Sequence, residues 1–199
     1  AVEQGRREEE AMGYGERISV AWSVLWRQYL FGTLSYFAFL VAAGTIINRI
    51  FATGTARNEA LSLSTALLFL PWMIFAVTPI CVVHAMRAHH ARLRFAITRQ
   101  GIETPVTSLI HSEALQASIP FTIANGVVLT LDWALHSVAL PLRGATAIGV
   151  LEAGEFALAL LGLYPLAIAI LLKLKFSTFS IQVTAPATLS SLADGEARA

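Results

Sequence analysis

Cysteine, charge and catalytic fingerprints are what this chain has least of. Its single cysteine, Cys81, lies within an apolar run. That excludes an intrachain disulfide and a cysteine-based metal site, leaving a small buried hydrophobe as the simplest role. Only 14% of the 199 residues are charged, and the net charge is +1. The basic residues are not gathered on one segment, so no nucleic-acid partner is expected. There is no P-loop, G-x-S-x-G, H-E-x-x-H, Rossmann fingerprint or C-x-x-C-H, and the chain is therefore read as a non-enzyme with no predicted cofactor. The opening stretch "AVEQGRREEEAMGYGER" has no cationic n-region leading into a short apolar core and a small-residue cleavage site, so no secretory signal is expected. Its first residue, alanine rather than methionine, is compatible with a trimmed, processed or incomplete start.

What the chain has in plenty is apolar surface. It is 56% hydrophobic with a mean hydropathy of +0.64, well outside soluble composition and characteristic of an integral membrane protein. A helix needs about 20 apolar residues to cross the hydrocarbon core. Four segments reach that length: Leu30 to Ile47, Leu61 to Ala85, Val106 to Leu140 and Ala147 to Leu172. Placing the N-terminus inside puts Arg6, Arg7, Arg17, Arg27, Arg87, Arg92, Arg94, Arg99, Lys173, Lys175 and Arg198 on that side, against Arg49, Arg57 and Arg143 on the other. The bias predicts cytoplasmic termini and a cytoplasmic middle loop.

Before the first span, "RISVAWSVLWRQYLF" spaces Ile18, Trp22, Leu25 and Tyr29 by four, three and four. This fits an amphipathic helix lying in the inner interface, with Trp22, Trp26 and Tyr29 at headgroup level and Arg27 reaching phosphate. It fits equally the aromatic belt of the first span. The expected fold is all-α: a four-transmembrane-helix bundle with an N-terminal interfacial helix. Its divisions are 1–29 (cytoplasmic N-terminal segment), 30–86 (first hairpin), 87–104 (cytoplasmic loop), 105–172 (second hairpin) and 173–199 (cytoplasmic tail).

The exits of the two hairpins resemble one another. Aligning Pro79 on Pro165 sets Arg87 on Lys173, and sets Leu93, Phe95 and Ile97 on Phe179, Ile181 and Val183. Each exit is a basic stop followed by alternating apolar residues, the period of a strand, so the two segments are expected to pair as a short cytoplasmic β-ribbon. A lone ribbon would need support from the bundle or a partner. The upstream halves match poorly, so a parallel two-helix duplication is suggested by the exits alone. In the tryptophan-rich "WSVLWRQYL" and these exits, the chain resembles small polytopic bacterial membrane proteins of unknown function. The resemblance implies a bacterial inner membrane and carries no site residues over.

The third span holds the most chemistry. Alternating steps of four and three from His111 give Leu115, Ser118, Thr122, Asn125, Leu129, Asp132 and His136, one helical face on which six of eight positions are polar. Ionisable groups at membrane depth cost about 2.5 to 3.5 kcal/mol on insertion scales and face protein or water. Asp132 and His136 are expected to join Glu152, Glu155 and Arg143 at the outer end of the second hairpin, with Asn125 continuing the face inward. The functional reading is a proton or cation site on Asp132 relayed by Glu152 or Glu155; the structural one is a charge-paired contact face. Pro120, early in this face, is expected to kink the helix.

Among the histidines, His89 and His90 lie beside arginines and read as headgroup or partner contacts. A bis-histidine haem would need His84 and His111 facing one another from different helices. The favoured reading is an accessory, scaffolding or assembly subunit of a larger inner-membrane complex, partnered by other membrane subunits and by anionic lipid headgroups. A respiratory or photosynthetic setting is a choice of context that no residue selects. The alternatives are a small proton- or ion-coupled transporter using Asp132 and Glu152 or Glu155, and a haem- or quinone-site subunit.

Overall fold

The structure, a computed structural model, describes residues 12–51, 54–88, 94–139 and 145–184, with backbone alone for 136–139, 145–148 and 184. The first helix, α1, spans Tyr14–Ile50. The second, α2, spans Thr55–Arg87, and α3 spans His111–Ala139. The fourth, α4, runs through Ala145–Leu158, a π-helical turn at Ala159–Leu163, and Tyr164–Lys173. All four are long and apolar enough to cross a membrane, as the composition predicts. The chain is a multi-pass membrane protein by helix length and hydropathy.

The stretch expected as a separate interfacial helix is instead continuous with the first span. Nothing in "RISVAWSVLWRQYLF" breaks a helix, and its Val20, Ala21, Val24 and Leu25 are buried in the bundle. Trp22, Trp26 and Tyr29 stay exposed on the same helix. Its first turn is fixed by the Glu16 carboxylate, which accepts the Gly13 N–H at 2.8 Å, satisfying one donor that a helix start leaves open. Helix α3 begins later than the apolar run suggests, after a 3-10 turn at Val106–Ser108. It passes through Pro120 as one uninterrupted helix.

The expected ribbon is part of a three-stranded antiparallel sheet ordered β2-β1-β3, formed by β1 (Arg94–Arg99), β2 (Ile102–Pro105) and β3 (Ser180–Thr184). Strand β1 pairs with β3 so that Phe95 meets Val183 and Ile97 meets Ile181. Phe95, Ile97, Phe179 and Ile181 join the helical core, which supplies the support that a bare ribbon lacks. Strand β2 arrives by a two-residue turn in which Gln100 and Gly101 both have positive φ, 51° and 83°, while Arg99 faces Ile102. This is the hairpin turn whose twist suits antiparallel strands, and glycine adopts it without strain.

The suggested duplication has a geometric counterpart. Adding 86 to each residue number carries the π-helical turn Met73–Val77 onto Ala159–Leu163, and Thr78–Arg87 onto Tyr164–Lys173. Each of these helical pieces has proline at its second position. Proline has no N–H and its ring crowds the carbonyl four residues back; widening the preceding turn accommodates it. Within the β1–β3 ladder the paired residues Ala96 and Gln182 are themselves 86 apart. Two equivalent strands related by a two-fold axis pair antiparallel about such equivalent residues. The upstream helices do not follow: α1 has 37 residues and α3 has 29.

The core sits at the sheet end of the bundle. Val24, Val82, Ala117, Phe121, Ile168 and Leu171 are nearly or wholly inaccessible. Toward the other end burial stops. No residue of Thr55–Trp72 is buried, α1 buries only Ile47 beyond Gly32, and neither 126–135 nor 149–158 contains a buried residue. At the boundary Gly32 allows close approach: a Cβ there would meet Met73 Cε at 3.0 Å.

Candidate functional site

Two groups of polar side chains lie along the spans. The first ties three helices together at the top of the packed core. Tyr164 of α4, wholly inaccessible to solvent, hydrogen-bonds Gln28 of α1 and reaches Asn125 Oδ1 of α3 at 2.5 Å. Phe121, one turn from Asn125, meets the Tyr164 ring edge-on, 5.6 Å between centroids. A phenol has one proton for two carbonyl oxygens, so one amide must turn its NH2 toward the phenol oxygen. Gln28, whose Nε2 is buried without a hydrogen-bond partner, is the one with a donor to place.

The sequence placed Asn125 on a polar face but gave no reason to single out Gln28 or Tyr164. Each sits in an apolar, aromatic run, and only the crossing of three helices brings them together. Asn125 is the central residue of α3, so this clamp lies near the middle of that helix.

The second group lies about two turns farther from the sheet, roughly 10 Å along α3 at about 1.5 Å per residue. The Tyr29 hydroxyl of α1 lies within electrostatic reach of Glu155, Glu152 and Asp132. Phe156 of α4 packs edge-on against Tyr29 at 5.9 Å and against Trp22 at 6.0 Å. Glu152 is exposed, while Asp132 and Glu155 are half-buried. Of the groups expected at this end, Asp132, Glu152 and Glu155 therefore act on one tyrosine. Arg143 and the side chain of His136 lie outside the described residues.

A third polar element braces the sheet. The Arg99 guanidinium of β1 forks onto Glu113 of α3, Nε to Oε1 at 3.0 Å and Nη2 to Oε2. It also donates to the Ser108 hydroxyl and carbonyl at 3.2 and 3.0 Å. Glu113, the third residue of α3, takes the Ile110 backbone N–H at 3.2 Å. An acid at that helix position is the sequence signal for this role. Hydrogen bonding to Glu113 raises the Arg99 pKa still further above its already high ordinary value. Stability from a raised basic pKa is full below the unfolded value and is lost only as pH rises through the folded one. The arginine side of this latch therefore holds at all ordinary pH.

The remaining candidates are scattered. Arg27 stacks over its neighbour Trp26 at 4.5 Å and donates to the Ser23 carbonyl at 2.6 Å, an amphipathic pairing suited to an interface. His84 lies in the last turn of α2 and His111 begins α3, both exposed. His89, His90 and Arg92 lie outside the described residues. Among the described residues, no three His, Cys, Asp or Glu are grouped to hold a metal ion. Proline leaves one more mark: Pro165 cannot bond the Leu161 carbonyl four residues back, and the Tyr14 hydroxyl donates to that carbonyl instead. Compared with protein-family models, curated proteins and solved structures, the chain matches none.

Proposed function

We propose that this protein is an accessory, scaffolding or assembly subunit of a larger bacterial inner-membrane complex, with its basic, sheet-bearing end in the cytoplasm. The observation that carries this reading is Glu152, exposed near one end of its span, with half-buried Asp132 and Glu155 near the same end of the second hairpin. A carboxylate within a spanning helix faces protein or water rather than lipid. The packed sheet end gives the chain a folded base, and the uncovered end offers its acids to neighbouring membrane subunits. The absence of a catalytic motif agrees with a role in which contact is the activity. Purification of the native chain in mild detergent should return a stoichiometric membrane partner. That partner should be lost in the Asp132→Asn/Glu152→Gln double variant while helix content stays unchanged. A lone monomer or homo-oligomer from native membranes would sink the proposal.

A second reading, proton or cation handling, is favoured by the sequence of polar groups from Glu152 and Asp132 through Tyr29 to the Gln28–Tyr164–Asn125 clamp. They lead from the uncovered end toward the middle of the spans. Reconstituted vesicles test it. Ion flux should fall in Asp132→Asn, and no flux in the parent, or equal flux in the variant, rejects it.

A further inference from the structure

We infer that the cleft between the end of α2 and the sheet is a binding site for the phosphate of an anionic phospholipid. The cleft is bounded by Met86, Arg87, Arg94, Phe95, Pro105 and Val106, is open to its surroundings, and has a volume of about 210 Å³. Its place in the fold decides what can reach it. Arg87 is the last residue of the second candidate span, and Arg94 opens the strand that lies just beyond it. The cleft therefore sits where a spanning helix leaves the bilayer, at the level of lipid headgroups.

Its chemistry is divided as a phospholipid's is. Met86, Phe95 and Val106 supply an apolar floor and are themselves buried, which suits the glycerol and first methylenes of a lipid. Arg87 and Arg94 are exposed at its edge. Arg87 makes one long hydrogen bond, Nη2 to the Thr107 carbonyl at 3.4 Å, leaving most of its five donors for an outside acceptor. Arginine's planar fork matches phosphate oxygens better than any other side chain.

Size narrows the occupant. At ~30 Å³ per water the cleft holds about seven waters, less than the ~300 to 1,000 Å³ of sites that enclose a whole cofactor or drug-sized molecule. A headgroup phosphate with its glycerol is of the right order. Charge favours an anionic headgroup over a neutral one, because the Arg87 and Arg94 guanidiniums flank the cleft and, among the described residues, no acidic side chain lines it.

The test is thermal unfolding of the purified full chain in neutral detergent, titrated with short-chain phosphatidylglycerol, short-chain phosphatidylcholine or inorganic phosphate. Phosphatidylglycerol should raise Tm in a saturable way, and the other two should not. The Arg87→Gln/Arg94→Gln double variant, measured against its own lipid-free Tm, should lose at least about tenfold in apparent lipid affinity. Lys173→Gln/Lys175→Gln, which removes the same charge from the other hairpin exit, should retain the parent's affinity. Native mass spectrometry gives a readout independent of stability: the parent should hold phosphatidylglycerol and the arginine variant should not. Equal stabilisation by phosphatidylcholine, the full effect from inorganic phosphate, or equal loss in the lysine variant would each overturn the assignment.

Discussion

At its sheet end the protein is a packed bundle, and at its far end it is four apolar helices with hardly a buried residue. Val20, Val24, Val82, Phe121, Tyr164 and Ile168 interlock on one side of the boundary, while Leu34, Val41, Ile46, Leu63, Leu67 and Val150 stand exposed on the other. Composition does not distinguish the two ends, since both are rich in Leu, Ile, Val and Phe. The difference lies in which small residues are buried and in the tethers. Alanines at 85, 114, 117, 124 and 167 let helices approach at the sheet end, and the Arg99–Glu113 fork and the Tyr164 clamp fix their register. In a bilayer, apolar side chains gain nothing by leaving lipid for one another.

The comparison can be broken at several points. The largest effect should come from Ile97→Ala in the sheet, outside the spans and wholly buried: about 2 to 5 kcal/mol of stability lost to the cavity. Val41→Ala at the far end should cost under about 0.5 kcal/mol. Thermal or denaturant unfolding in one detergent compares the pair, and equal losses would erase the distinction between the ends. Next should be Glu113→Gln, which keeps the shape and removes the charge from the Arg99 fork. Tm should fall by less than for Ile97→Ala, and hydrogen exchange should rise at the β1 amides rather than in α4. Of the three changes at the packed end, the smallest effect should come from Tyr164→Phe. It removes one hydroxyl and leaves two amides without it, about 0.5 to 2 kcal/mol, since interhelical hydrogen bonds in membranes are individually modest. A loss in Tyr164→Phe that matched Ile97→Ala would place the centre of stability in the membrane instead of the sheet.

Much of this was legible in the residues. Hydropathy is a property of local windows, and it located four spans. Period-two alternation found β1 and β3, and the alignment of Pro79 with Pro165 pointed to the repeated helix ends. Strand β2 went unseen because "IETP" has no alternation; only the Gln100–Gly101 turn, with both φ positive, signalled a hairpin. The first helix was divided at Leu30 because apolarity begins there. Helicity, however, follows from the lack of any breaker back to Gly13, and burial of Val20 and Val24 from contacts with other spans. The polar face of α3 was legible as spacing, but Asn125 bonding Tyr164 depends on how helices cross, which no single-segment pattern encodes.

The β1–β3 ladder joins the two hairpins a second time, outside the bilayer and by backbone hydrogen bonds rather than by the chain itself. Such a ladder resists sliding but permits a slight change of tilt, which makes the molecule a pair of tongs held at the handle. Beyond the Tyr164 clamp, the 14 residues of α3 after Asn125 span ~21 Å at about 1.5 Å each, and a tilt of about 5° displaces their tip by about 2 Å. The distance from Tyr29 on the first hairpin to Asp132, Glu152 and Glu155 on the second therefore follows the angle at which two short strands meet.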